Sequence, residues 1–221
     1  MVSEIIAHWR QFLSNNYYKQ QSLFTLFFTI INVLLFTWFM RINEQREGIK
    51  FNEPLLEYIL PVTNYTWFIF TLTYISITLG IIFLIKIPID FLKTLQAYNL
   101  LLIFRLISIT LLPFEPPENM IPMQDPIIET IAAYDGFIYK DLFFSGHTAT
   151  LFLFGLMLNN KLLKIYFYII TCIVAFLLVK QQVHYSVDVL AAPFFAYLCY
   201  YLIQTYWNKK ETFQTQILER Q

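Results

Sequence analysis

Two short segments carry two of the chain's three histidines, and each is built for proton or phosphoryl chemistry. One reads Asp141-Leu-Phe-Phe-Ser-Gly-His-Thr148 and the other His184-Tyr-Ser-Val-Asp-Val189. Imidazole titrates near neutrality, so a histidine can act as base, acid or nucleophile. Asp188 follows His184 by four residues, a spacing that shares one face of a helix. The carboxylate can then accept a hydrogen bond from the His184 ring, which fixes the tautomer and leaves the other nitrogen for chemistry. Both segments open apolar runs, and the N–H groups at a helix N-terminus make good phosphate sites. Ser145 and Gly146 suit close approach of an anion beside His147. Arg105, alone inside another apolar run, offers a planar fork matched to phosphate. Each residue alone has a blander explanation. A lone intramembrane histidine is most often a helix–helix hydrogen bonder, and a lone arginine a salt-bridge partner. Convergence of all four on one membrane face favours a site. Two histidines and one carboxylate are weak evidence for zinc, so neither metal nor cofactor is expected.

The elements that must position these residues are membrane helices. Of the 221 residues, 57% are hydrophobic, 19% aromatic and 14% charged, against about 25% charged in a soluble domain. Apolar runs at 22–40, 58–85, 94–112, 142–160, 165–179 and 189–207 reach or approach the roughly 20 residues a spanning helix needs, with Lys164 and Lys180 able to snorkel from the shortest. The expected architecture is all-α, a polytopic membrane protein with six transmembrane helices in one bundle. Residues 1–20 put Ile5, Ile6, Trp9, Phe12 and Leu13 on one helical face and read as an interfacial amphipathic helix, with His8 on its polar side. The catalytic bundle then covers 21–208 and a cytoplasmic tail 209–221.

Zero net charge gives no sign of a nucleic-acid partner. Cys172 and Cys199 fall inside spans and read as packing residues. The first apolar run is a full-length span with no cleavage signature, so it is expected to remain as an anchor. Alternate connections place nine Lys and Arg on the side of the N-terminus and five on the other, which predicts both termini in the cytoplasm. The histidines and the loop at 113–141, with five prolines and six acids, then face the exoplasmic or periplasmic side. A loop of that length is either functional or an acidic outer cap.

The two segments resemble the signature of the sphingomyelin synthase family, within the type 2 phosphatidic acid phosphatase superfamily. Asp141, Ser145, Gly146, His147 and Thr148 match its Asp-x3-Ser-Gly-His-Thr motif. His184, Tyr185, Asp188 and Val189 match His-Tyr-Thr-x-Asp-Val, with Ser186 where Thr is usual. Arg105, Ser108, Thr110, Leu112 and Pro113 resemble a looser third motif, and Asn52-Glu-Pro-Leu-Leu56 is a faint echo of another. The resemblance implies six spans and a phosphohistidine on His184, oriented by Asp188, with His147 as acid and then base. It also implies that Arg105, with Lys140 or Lys180, neutralises the phosphate. The partners it implies are a membrane phospholipid donor and a lipid acceptor, ceramide or diacylglycerol; oligomeric state stays open. The superfamily's Lys-x6-Arg-Pro and Ser-Arg-x5-His phosphatase motifs are absent, and Leu178 stands where the second Arg would be. Tyr139-Lys140 replaces the usual Cys-Gly before the aspartate. Head-group transfer is therefore the first expectation, hydrolysis of a lipid phosphate the second, and a non-catalytic transporter or lipid-binding protein the third.

Overall fold

Helix boundaries follow the polar residues that punctuate the apolar runs. The computed structural model describes residues 2–54, 56, 61–123 and 138–218. Among them are seven helices: α1 (Val2–Ser14), α2 (Asn16–Asn43), α3 (Thr66–Leu84), α4 (Pro88–Leu111), α5 (Gly146–Met157), α6 (Lys161–Lys180) and α7 (Ser186–Leu218). Asn15 is extended and caps α2, its Oδ1 accepting Tyr17 N–H at 2.9 Å. The expected interfacial helix over 1–20 is thus cut at Ser14, and 16–20 form the first turn of α2. Asn160 caps α6 through Leu163 N–H at 3.1 Å, and Pro88 opens α4, where its missing N–H costs nothing. The helix α3 starts at Thr66, later than the apolar run from Tyr58; residues 57–60 lie outside the described residues. At the other end of the chain, α7 runs past the expected boundary at 208.

Among the described residues five helices are long and apolar enough to cross a membrane: α2, α3, α4, α6 and the Ser186–Lys210 part of α7. The sixth expected span, 142–160, is not a full-length helix. Its helical part, α5, has 12 residues, or about 18 Å at 1.5 Å per residue against about 30 Å of hydrocarbon. The apolar run overran the helix because Leu142, Phe144 and Ser145 are buried in non-helical backbone, at 1%, 0% and 0% exposure. Irregular backbone at that depth survives only where protein surrounds it, and here it does. The short helix is the hub of the bundle: it packs chiefly against α6 and α7 and also touches α3 and α4. Ala149, Leu151 and Leu153 on it are wholly buried. Gly80 on α3 and Gly155 on α5 permit the close crossings, since a Cβ on either would overlap Phe154 or Tyr168.

The first long helix, α2, is apolar outside and mostly polar inside, as suits a face turned to lipid. On α2 the buried residues are Thr25, Asn32, Met40 and Asn43, while Leu23, Phe24, Phe27, Ile30 and Leu34 are exposed. Asn32 donates to Asn99 Oδ1 at 3.0 Å and Asn99 to Thr29 Oγ1 at 2.8 Å, tying α2 to α4 by interhelical hydrogen bonds. The cysteines are both free, Cys199 buried and Cys172 exposed. One end of the bundle gathers α1, the α3–α4 and α5–α6 turns and the close of α7. There Trp9 Nε1 donates to Ile85 O at 2.7 Å, Asn159 to Asp90 at 2.7 Å, and the Tyr17 and Trp207 rings lie 6.2 Å apart. The opposite end collects residues 40–54, 110–123, 138–148 and 180–188.

Candidate active site

The α6 helix ends in a turn that delivers His184. Val183 N–H bonds Leu178 O at 3.0 Å and Gln182 N–H bonds Val179 O at 3.0 Å, the paired closure of a Schellman motif. Its left-handed residue, normally glycine, is Gln182 with φ 57°. The side chain offsets the strain of that conformation: buried at 2% exposure, it donates to Leu56 O at 3.0 Å. Beside it Gln181, wholly buried, accepts from Tyr65 N–H at 2.7 Å and donates to Thr66 Oγ1 at 2.8 Å and Ile121 O at 3.0 Å.

His184 therefore precedes α7 instead of lying in it, and α7 begins at Ser186. The expected pairing survives that shift: His184 Nδ1 lies 3.2 Å from Asp188 Oδ2. A carboxylate can only accept, so Nδ1 is the donor, and in the neutral ring that tautomer leaves the Nε2 lone pair for chemistry. Asp188 Oδ2 also accepts Tyr185 N–H at 3.2 Å, as an acid at the third helical position does in a capping box. Both residues are buried, at 3% and 0% exposure. Among the described residues Asp188 Oδ1 has no hydrogen-bond partner.

Around the start of α5, Arg105 and the 138–148 segment come together. Arg105 is six residues from the end of α4, about 9 Å at 1.5 Å per residue, closer than the roughly 12 Å expected from the sequence. Its guanidinium pairs with Asp141 Oδ1, donates through Nε to Phe144 O at 3.2 Å and lies 4.9 Å over the Phe36 ring. It also rests on Gly146, where a Cβ would stand 2.6 Å from Arg105 Cζ. Burial alone would raise the Asp141 carboxyl; the Arg105 guanidinium, helped by His184 and His147, outweighs it and holds Asp141 below the usual range. Ser145 is the α5 N-cap, with Oγ accepting Thr148 N–H at 3.4 Å and lying 3.1 Å from Thr148 Oγ1. His147 is the second residue of α5, where the sequence suggested the sixth, and its ring lies 5.7 Å from Phe70. Ser145 N–H donates to Asp188 O at 3.1 Å, which joins the two histidine segments directly.

Outside this cluster a clasp closes over Tyr185 and Ser186. Ile49 N–H bonds Pro113 O at 2.6 Å and Glu115 N–H bonds Ile49 O at 3.0 Å. Lys140 Nζ donates to Glu115 Oε1 at 2.9 Å and Arg46 O at 2.6 Å, so its ammonium is engaged within the clasp. That bond to Lys140 is the main reason the Glu115 carboxyl lies below its usual range. Tyr185 O–H donates to Glu115 O at 2.9 Å. Burial and the carboxylates of Asp188, Glu53, Glu115 and Glu118 push its phenol up to about 12, so it stays a donor. Glu53 accepts from both Ser186 N–H, at 2.9 Å, and Ser186 Oγ–H. The α7 N-terminus is filled by carboxylates from Glu53 and Asp188, and the α5 N-terminus lies beside Arg105. Lys180 closes α6, four residues before His184. Glu115, Gln181 and Gln182 were not expected, and Glu53 was marked only by the faint motif echo at 52–56 with no role attached. The sequence signal for the glutamines was a polar pair closing an apolar run just before a histidine. Among the described residues no cluster of three or more His, Cys, Asp or Glu could hold a metal ion.

Residues 140–206 match the family model described as PAP2 superfamily C-terminal. The matched stretch begins at Lys140 and takes in both histidine segments. It supports the type 2 phosphatidic acid phosphatase-like superfamily, whose members typically are enzymes acting on phosphate esters, and does not single out the sphingomyelin synthase family. No curated protein matches the chain.

Proposed function

We propose that this chain is a membrane-embedded phosphotransferase that moves a phospholipid head-group phosphate to a lipid hydroxyl, with ceramide or diacylglycerol as the acceptor class. The observation that carries the proposal is the joined cluster of His184–Asp188, Arg105–Asp141 and the His147-bearing start of α5. In this scheme His184 Nε2 attacks phosphorus, a P–N bond forms and the P–O bond to the diacylglycerol oxygen breaks. His147 gives that oxygen a proton. The incoming hydroxyl then surrenders its proton to His147 as it attacks the phosphohistidine, which restores both histidines. Arg105, the α5 N-terminus and in one variant Lys140 or Lys180 offset the phosphate charge. Both termini are placed in the cytoplasm and the site on the exoplasmic or periplasmic face, following the Lys and Arg count.

Hydrolysis is the second reading, favoured by the match to a superfamily named for phosphatases. In it water takes the place of the acceptor hydroxyl. The test is turnover of mixed phospholipids by purified protein, with and without ceramide or diacylglycerol, followed by mass spectrometry. Transfer predicts a phosphorylated acceptor carrying the donor's head group. Head-group phosphate alone, unchanged by any acceptor, would make the protein a hydrolase. Turnover that survives His184→Ala would end both.

A further inference from the structure

Glu53 is a charged group beside the site whose placement the catalytic scheme does not use. It sits in a connection between helices, 133 residues from Ser186 in sequence. Both carboxylate oxygens nevertheless converge on that one residue, Oε2 on its N–H and Oε1 on its hydroxyl. Ser186 is the first residue of α7. Its N–H is one of the orphan donors that every helix start must satisfy, and a carboxylate there also meets the positive end of the helix dipole. Two residues before Ser186 is His184, and two after it is Asp188.

We propose that Glu53 is a positioning residue for His184, acting through Ser186 to hold the first turn of α7 in the register that keeps Asp188 on the imidazole. The inference rests on the proposed role of His184 but can be tested without turnover. Asp188 alone does not fix the turn, because its Oδ2 must serve both the His184 ring and Tyr185 N–H, at 3.2 Å each. Those are long contacts for a charged acceptor, whose hydrogen bonds normally run about 2.7–2.9 Å. Glu53 supplies the second restraint on the next residue along. The segment leading to it is held in turn: Phe51 packs edge-on against Tyr185 at 5.2 Å, and Ile49 is bridged to the 113–115 segment. Glu53 also lines an outer cleft of about 830 Å³ together with Tyr185, Glu115 and Gln182. The restraint that Glu53 adds therefore comes from the cleft side, beside the one that Asp188 supplies from α7.

The experiment compares parent, Glu53→Ala, Glu53→Gln and Ser186→Ala in nanodiscs. Imidazole acylation by an electrophilic reagent is followed by mass spectrometry at His184, with His147 as internal reference. The kcat and KM for a phospholipid are measured alongside. In Glu53→Ala we expect His184, buried in the parent, to acylate roughly tenfold faster while His147 does not change, which is what losing one charge-assisted hydrogen bond corresponds to. The kcat should fall by a similar factor with KM within about threefold. Glu53→Gln keeps one acceptor oxygen and should recover part of the loss. If Glu53→Ala does not fold, Ser186→Ala, which removes the hydroxyl bond alone, must show the same pattern at smaller size. Equal acceleration at both histidines would mean general loosening and would overturn the proposal, as would parent-like acylation and kcat. If acylation shifts as expected while the parent turns over no phosphate ester, Glu53 still positions His184 and it is the proposed function that fails.

Discussion

Replacing Gly146 by alanine should separate activity from stability. The backbone at Gly146 is helical, so a Cβ there meets no backbone strain and alanine is the better helix former. What it meets is Arg105: the new carbon would lie 2.6 Å from Cζ. Non-bonded carbons need about 3.5–4.0 Å, so the guanidinium must retreat by roughly 1 Å. It cannot retreat freely, because it is paired with Asp141, bonded to Phe144 O and laid over Phe36. The stability cost is at most about one charged hydrogen bond, 1.5–3 kcal/mol, partly offset by the helix gain, so the chain should still insert and fold. Catalysis should suffer far more, since a misplacement of about 1 Å can cost roughly 10²-fold. The assay is kcat/KM on a phospholipid panel beside thermal unfolding in detergent. A Gly146→Ala protein that kept activity within about threefold of the parent would show that Arg105 need not sit against the start of α5, and the phosphate seat would have to be sought elsewhere.

Two further perturbations probe the supports of the site. Asp141 is held below the usual carboxylate range, so its contribution to stability is present above the unfolded value of about 3.9 and is lost as pH falls through the lower folded value. The parent should thus hold its Tm from about pH 7 to pH 5 and lose it below about pH 4, whereas Asp141→Asn should be less stable at every pH above that and flatter with acid. Gln181→Leu fills the same space but strands Tyr65 N–H, Thr66 Oγ1 and Ile121 O. One buried unsatisfied group costs about 1–3 kcal/mol, so denaturation should show a loss of at least that size; an unchanged midpoint would mean the turn before His184 needs no such lock.

Legibility in the sequence divided along a physical line. Membrane helices announce themselves by uninterrupted apolar length, and α2, α3, α4, α6 and α7 were all visible to within a few turns. The run at 142–160 is longer than its helix, Gly146–Met157, because hydropathy reports burial in something apolar and cannot tell lipid from protein. Leu142 and Phe144 are as apolar as any lipid-facing residue, yet they sit in non-helical backbone walled by the bundle. The i, i+4 spacing of His184 and Asp188 pointed to the right contact through the wrong local structure. The two residues meet across a helix start, where Asp188 reaches back, instead of along a helix face.

The parts that were not legible are those where one polar group answers another far away in the chain. Glu53 to Ser186, Gln181 to Tyr65 and Lys140 to Glu115 leave no periodicity, because the loops that bring them together are shaped by each other. Yet the need for such bonds follows from the short helix. An α5 that fills only part of the membrane leaves residues 138–145 as irregular backbone, and its polar groups must be satisfied from outside α5. Asp188 O takes Ser145 N–H, Glu44 Oε1 takes the N–H groups of Tyr139 and Lys140 at 2.9 and 2.7 Å, and Asn43 donates to Lys140 O at 2.9 Å. The same shortfall sets the start of α5, with His147 and Gly146, below the ends of its neighbours and beside Arg105. The short α5 is what lets a polar cluster form at the end of an apolar bundle.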